Sequence, residues 1–354
     1  MNRRASGSAF RDLASGRRRG VGATLARSVL RLAEVPYTSA VRWRNRRYDR
    51  GRAAVHRVGV PVVSVGNLTL GGTGKTPLVN WLVRRLAERG LRVAIVSRGY
   101  GTSAGRVNDE ALELAQSLPG VPHVQDPDRV AAARRAIDES ACQVIVLDDG
   151  FQHRRLARDL DIVLLDATEP FGFEHLFPRG TLREPLAGLA RAGVVCLSRA
   201  DLLDRAGRER IRRRVVELAP QAVWCEAAHA PRELRSAAGA IEPLAALAGR
   251  RLAAFCGIGN PAAFRHSLVA AGGNVVSWRE FPDHHPYDAA DRAELDRAVA
   301  ASDAELVVCT AKDLVKLPVD ELGGRPLWAL AIEIEMLAGG EALNAALNQI
   351  LPRS

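Results

Sequence analysis

The 354-residue chain has only five cysteines (Cys142, Cys196, Cys225, Cys256, Cys309), far apart and with no CxxC pair. That spacing excludes a disulfide framework and a cysteine zinc site, and it fits an intracellular protein. There is no run of 18 apolar residues, so the sequence predicts no membrane-crossing helix. Nothing repeats with a solenoid period, which removes the repeat architectures. Lysine is nearly missing: only Lys75, Lys312 and Lys316 stand among 50 basic residues. Where arginine serves as almost every surface cation, a retained lysine points to a place that wants a compact point charge. Lys75 draws attention for that reason.

What is present is a globular composition, 47% hydrophobic and 25% charged, which excludes a disordered chain. The length suits one large domain or two moderate ones. The net charge of +10 is uneven, since residues 1–52 hold 14 arginines against three acids and the remainder is close to neutral at −1. No basic patch continues into the body, so nucleic acid is not an expected partner. Within the arm, Val21, Leu25, Val29 and Leu32, with Leu30 beside them, mark one helical face, and Pro36 predicts its end. Arginines interrupt the apolar segment, against a secretory signal. An amphipathic helix flanked by Arg17–Arg19 and by Arg42, Arg44, Arg46 and Arg47, with Trp43 and Tyr48 near its end, suits an anionic membrane surface. The plainer alternative is a helix packed on the protein's own body.

Val60–Val65 is β-branched and of strand length. After Gly66-Asn67 come Thr69, Leu70, Gly71, Gly72, Thr73, Gly74, Lys75 and Thr76, then Pro77 and an amphipathic helix to about Arg89. Strand, glycine-rich loop, Lys-Thr and helix make a phosphate-binding loop, in which backbone N–H groups and the helix dipole converge on phosphate oxygens. Lys75 would reach the β- and γ-phosphates of a nucleotide and the Thr76 hydroxyl would ligate Mg²⁺. The pattern departs from the usual one at Thr69, where glycine is customary.

Further strands are predicted at Leu91–Ser97, Cys142–Leu147, Asp161–Leu165 and Gly193–Leu197, with a helix over Pro127–Ser140 capped by Asp126. A second set follows at Arg251–Cys256, Leu306–Thr310 and Leu327–Glu333. Strands alternating with helices predict an α/β fold, a P-loop NTPase-like doubly wound and mostly parallel sheet with a second, smaller α/β lobe. The expected division is a basic arm at 1–52, a nucleotide-binding core at 53–245 and a C-terminal lobe at 246–354. Ligands bind at the carboxyl ends of such strands, where the loop, Arg98 and Asp148-Asp149 all fall. An apolar strand ending in two aspartates suits a Mg²⁺ site, because adjacent carboxylates repel unless a cation offsets them. Gln152 and His153 follow directly. Asp109-Glu110 predicts a helix start, with capping as its plain explanation. Arg183 beside Glu184 is an ion pair or a pair of ligands. Ser198-Arg-Ala-Asp201 resembles a guanine-selecting box too faintly to use. Asp283, His284 and His285 lie between prolines, as metal ligands, a base or a simple turn.

Together GNLTLGGTGKTP (66–77), SRGYG (97–101), DDGFQHRR (148–155), LREPL (182–186), FPDHHPY (281–287) and TAKDLVKL (310–317) resemble the tetraacyldisaccharide 4'-kinases of lipid A biosynthesis. The resemblance implies transfer of the ATP γ-phosphate to the 4'-hydroxyl of an acylated glucosamine disaccharide 1-phosphate. It implies two α/β lobes with the nucleotide between them, and a peripheral or monotopic site on the cytoplasmic face of the inner membrane. It implies phosphate contacts from residues 69–76, Gln152 and His153, and a Mg²⁺ neighbourhood of Thr76, Asp148, Asp149 and Glu184. Lys75 would be catalytic, with Asp109 and His284 acting together as base. The stretch before Asp109 reads RVNDE, where many relatives carry a GDEP-like sequence. Two alternatives share the loop: a ParA-like ATPase switch with a nucleic-acid-binding arm, and a soluble kinase or ligase of a small metabolite.

Overall fold

The β-branched runs become strands whose pleats are buried on both faces. The computed structural model describes residues 10–99, 109–283 and 285–351, with the side chains of residues 109 and 110 left aside. Its strands in chain order are β1 Val62–Asn67, β2 Val93–Ser97, β3 His123–Gln125, β4 Val144–Asp148, β5 Leu160–Asp166, β6 Val194–Ser198 and β7 Val223–Arg235. β8 Ile241–Pro243, β9 Arg251–Cys256, β10 Asn274–Glu280, β11 Leu306–Thr310, β12 Glu321–Leu322 and β13 Arg325–Ala338 follow.

The chain forms two compact units. In the first, the order β3-β2-β4-β1-β5-β6-β7 is parallel throughout. β1, β2, β4 and β6 are buried at every residue, as expected of strands covered on both sides. Helix Lys75–Glu88 lays Leu78, Leu82 and Leu86 against this sheet at helical spacing. β1 stands between β4 and β5, so the chain leaves it toward one side of the sheet and later returns on the other. Such a switch point opens a crevice at the carboxyl ends of the strands. The second unit has the parallel order β10-β9-β11-β13. Phe255, Val307, Cys309 and Leu327 lie in its core. All five cysteines are buried free thiols, and burial pushes Cys225 up to about 12.

Three expectations are corrected. The units do not follow the 53–245 and 246–354 division: residues 334–354 belong to the first, while helix Asp109–Ser117 and residues 229–333 belong to the second. Helix Val21–Asp49 runs through Pro36 instead of ending there. A proline inside a helix costs about 3 kcal/mol. Here contacts of Glu34, Tyr37 and Asn45 with the rest of the unit hold the chain on both sides of it. Finally, Asp128 rather than Asp126 caps helix Arg129–Ser140, its side chain accepting from the Val130 and Ala131 N–H groups. Asp126 Oδ1 instead accepts from the Asp128 N–H at 2.8 Å in a turn ahead of the helix, which starts two residues later than expected.

Candidate active site

The loop after β1 is fixed from both sides before it reaches Lys75. The Leu70 N–H donates to the Thr181 carbonyl at 2.7 Å and the Arg183 N–H to the Leu68 carbonyl at 2.7 Å. Thr69, in the place of the customary glycine, is buried and bridges Leu182, so an extended β-branched residue serves there. Gly66 is required by close approach, because a Cβ on it would stand 2.6 Å from the Phe151 Cβ. On the other side the Ser198 hydroxyl donates to the Thr73 carbonyl at 2.8 Å, and Arg199 Nη2 to the Gly72 carbonyl at 3.1 Å. Arg199 also pairs with Asp166. The Ser198-Arg199 box therefore braces the loop. Sequence reasoning set it aside, and only its position at the end of β6 hinted at this.

Helix Lys75–Glu88 begins at Gly74, and among the described residues no side chain caps it and no acid sits in its first turn. Its leading N–H groups are left for an outside acceptor. The Thr73 Oγ1 is buried without a hydrogen-bond partner among the described residues. Lys75 Nζ lies 3.5 Å from Asp149 Oδ1 and 3.4 Å from Asn67 Oδ1. The β1–β4 register sets Asp148 beside Val65, so the acidic strand end is level with the start of the loop. Burial raises the Asp149 carboxyl, but Lys75 and Arg183 outweigh it and hold it below the usual carboxylate range. Arg183 Nη1 reaches both Asp149 oxygens, at 2.8 and 2.9 Å.

Arg183 and Glu184 thus do not pair with each other, since successive side chains of an extended segment point apart. Glu184 is fully buried and accepts from Arg191, from Asn45 Nδ2 and from Gln152 Nε2, all at 2.9 Å. Both its oxygens accept from protein donors here. Gln152 Nε2 also donates to the Asn67 carbonyl at 2.9 Å, so this side chain ties loop to core. Burial, with Arg129 and Arg158 nearby, lowers His153 to about 4, leaving it neutral.

His284 lies outside the described residues, as does the Asp109 side chain; helix Asp109–Ser117 belongs to the same unit as the 281–287 segment. His285 is committed to structure: its Nε2 is 2.6 Å from Asp291 Oδ2 and its ring stacks on Phe281 at 4.8 Å. Asp313, fully buried, accepts from the Tyr287 hydroxyl at 2.9 Å, the Gly257 N–H at 3.0 Å and the Thr310 hydroxyl at 2.5 Å.

The family model for tetraacyldisaccharide-1-P 4'-kinase (LpxK) matches residues 26–352. The chain belongs to this kinase family. A tetraacyldisaccharide 4'-kinase of Anaeromyxobacter dehalogenans (strain 2CP-C) is 44% identical, the match covering 91% of this chain and 90% of the relative. That of Geobacter sulfurreducens is 38% identical over 97% of this chain and 98% of its own. A crystal structure of LpxK from Aquifex aeolicus in complex with ATP superposes with a TM-score of 0.74 at 29% identity, covering 92% of this chain and 100% of that one. ATP with Mg²⁺ is the cofactor of these kinases, and the residues here fit it. The uncapped helix start, the lone lysine and the unpartnered Thr73 hydroxyl suit polyphosphate oxygens. Among the described residues no three His, Cys, Asp or Glu side chains form a ready metal cage. A Thr hydroxyl, one carboxylate and phosphate oxygens are the donors a Mg²⁺ held mainly by its nucleotide requires.

Proposed function

We infer that this chain is the ATP-dependent kinase that phosphorylates the 4'-hydroxyl of a tetraacylated glucosamine disaccharide 1-phosphate in lipid A biosynthesis. The observation that carries the reading is the uncapped helix start with Lys75 beside an acidic strand end, in a chain matching the kinase family over residues 26–352. MgATP supplies the phosphoryl group and neutralises part of its charge.

The chain's own residues do the rest. Amides of 71–74 and the Lys75 ammonium stabilise charge on the phosphoryl oxygens, which matters more here than covalent chemistry. Thr76 and Asp148 would hold the Mg²⁺, which would supply charge stabilisation to the phosphoryl oxygens. Asp149 holds Lys75 and Arg183 in register, supported by its contacts to both. Gln152 and His153 line the phosphate side as neutral groups. A sugar hydroxyl ionises far above neutrality, so a base within about 3 Å assists late in its attack. We assign that base to His284, on the match of FPDHHPY (281–287) to the family's DH segment, with Asp109 orienting it by its place after the SRGYG loop, although RVNDE departs there from the family's GDEP-like sequence.

The substrate's acyl chains explain the arm. Helix Val21–Asp49 leaves Val21, Leu25, Val29, Leu32 and Val35 exposed along one face. Its opposite face is spent on the body. The exposed stripe would enter the cytoplasmic leaflet of the inner membrane as a monotopic anchor, its arginines meeting anionic headgroups. No helix among the described residues is long and apolar enough to cross a membrane.

The decisive experiment incubates the purified protein with labelled ATP and the disaccharide 1-phosphate and chromatographs the lipid. A 4'-phosphorylated product is expected. DNA-stimulated ATP hydrolysis without lipid product would restore the ParA-like switch, which the family match does not favour.

A further inference from the structure

We propose that Asp313 is a positioning residue for phosphoryl transfer: from the end of β11 it holds the 281–287 segment, and through that segment the general base. The inference rests on the assignment of that base to His284. It gives the TAKDLVKL motif (310–317) a role in the reaction.

A carboxyl group buried without compensation is costly, and Asp313 is fully buried. It stands in a short helix, Ala311–Leu314, directly after β11. From nearby in sequence, the Thr310 hydroxyl donates to its Oδ2 at 2.5 Å and Lys316 Nζ lies 3.6 Å from its Oδ1. Two donors come from farther along the chain. The Gly257 N–H, just past β9, reaches Oδ1 at 3.0 Å, and the Tyr287 hydroxyl reaches the same oxygen at 2.9 Å. Asp313 therefore ties the ends of β9 and β11 to the last residue of the 281–287 segment. Burial and the adjacent Asp313 push the Tyr287 hydroxyl well above its ordinary range, which keeps it a donor. Lys316, one of the three lysines, has its side chain 7% exposed and also stands over the Tyr287 ring at 5.6 Å.

The segment is fixed along its length as well as at its end. The Phe281 N–H donates to the Cys256 carbonyl at 2.8 Å, and the His285 N–H to the Pro282 carbonyl at 3.1 Å. A Cβ on Gly257 would stand 3.1 Å from the Pro282 carbonyl oxygen and 3.2 Å from both Asp313 Oδ1 and the Tyr287 hydroxyl. Glycine there lets all three groups close on one point. Tyr287 has φ +23°, a backbone value that persists only where the surroundings over-determine it, and Asp313 supplies one of those constraints. In sequence, His284 lies between these anchors. A base must come within about 3 Å of the hydroxyl it deprotonates, and a misplacement of about 1 Å caused from a distance costs on the order of a hundredfold in rate. Holding the segment is therefore a kinetic role, and it needs no contact between Asp313 and the substrate.

The test is steady-state kinetics of the full chain, with thermal melting alongside. Asp313→Asn keeps the size of the side chain but turns one acceptor into a donor. It is expected to lower kcat about ten- to a hundredfold, with KM for Mg-ATP and for the lipid within about twofold. Tyr287→Phe keeps the ring and loses only the hydroxyl. Its loss is of the same selective kind and smaller, about three- to tenfold, and it carries the comparison if Asp313→Asn does not fold. The deciding variants add His284→Ala to each. In that background either substitution is expected to change kcat by less than about twofold, because both act through the same histidine. An undiminished loss there overturns the proposal, as does a rise in KM at constant kcat, or full turnover in both single variants. Full turnover of His284→Ala by itself refutes the assignment of the base instead.

Discussion

Lys75 is mostly enclosed by its own site, with Asp149 and Asn67 within 3.5 Å of its ammonium. Removing it takes away a charge that counts most while the phosphoryl group moves. Lys75→Ala should therefore lower kcat on the order of a hundredfold with an unchanged melting temperature. A variant retaining full turnover would exclude the loop as the phosphate site. The two adjacent histidines should separate cleanly. His284→Ala should depress kcat more than it raises KM. His285→Ala should instead lower stability by roughly 1–2 kcal/mol, since it strips the Asp291 carboxylate and the Phe281 ring of a partner. Calorimetric melting beside steady-state kinetics distinguishes them. From sequence the His-His pair reads evenly, because Asp291 and Phe281 are assigned to His285 only by folding. Glu184 was misleading for a related reason: its neighbour Arg183 looks like its partner, yet three donors from elsewhere in the chain saturate it. The loop itself was legible down to Lys75 and Thr76, since its hydrogen bonding is local and its residue types follow from backbone geometry.

Among the elements, helix Val21–Asp49 has the clearest division of labour. Glu34 Oε1 accepts from the Leu176 N–H at 2.7 Å, the Tyr37 hydroxyl donates to the Arg183 carbonyl at 3.0 Å, and Asp49 pairs with Arg154 at 2.7 Å. Leu25 and Leu32, 65% and 74% exposed, lie on the other side. Periodicity revealed that face, but the helix's passage through Pro36 was hidden because the tertiary contacts that outweigh the proline come from residues far along the chain. Leu25→Glu with Leu32→Glu should abolish flotation with anionic vesicles while leaving the melting temperature within a degree or two, as both side chains touch little protein. Flotation unchanged by the pair would leave the stripe without a membrane role. Strands β2 and β3 make a different prediction. His123 Nε2 is 2.8 Å from the Ser97 hydroxyl, and burial lowers this imidazole from 6.5 to about 4. The unfolded chain takes up the proton more readily, so stability is full above about pH 6.5 and declines as pH falls toward 4. His153 adds to the same trend. Melting temperatures across this window should fall less steeply in His123→Gln, and an identical slope would show that His123 does not titrate there.

At the scale of the molecule, the chain threads its two units in alternation. The first unit is completed only by residues 334–354, after the whole of the second has been laid down. Helix Gly340–Ile350 contributes Leu343 and Leu347, both fully buried, and Arg89 donates to Asn344 at 3.0 Å and Asn348 at 2.8 Å. A sequence reading places boundaries where composition shifts, and no such shift marks this return, because the closing helix is as ordinary in composition as those before it. The interleaving has a consequence for dissection. Burying two leucines contributes about 1.5–3 kcal/mol each, a large part of the net stability of a typical domain. A chain cut after residue 245 keeps the phosphate loop, β1 and β4, yet it loses this helix and uncovers the surface beneath it. It should melt well below the full-length protein, bind hydrophobic dye, and show little heat with Mg-ATP. A cut removing only residues 340–354 should reproduce much of that loss although it leaves 229–333 intact. If both truncated chains bind nucleotide as the full chain does, the first unit is complete without its final helix and the division into interleaved units has no energetic meaning.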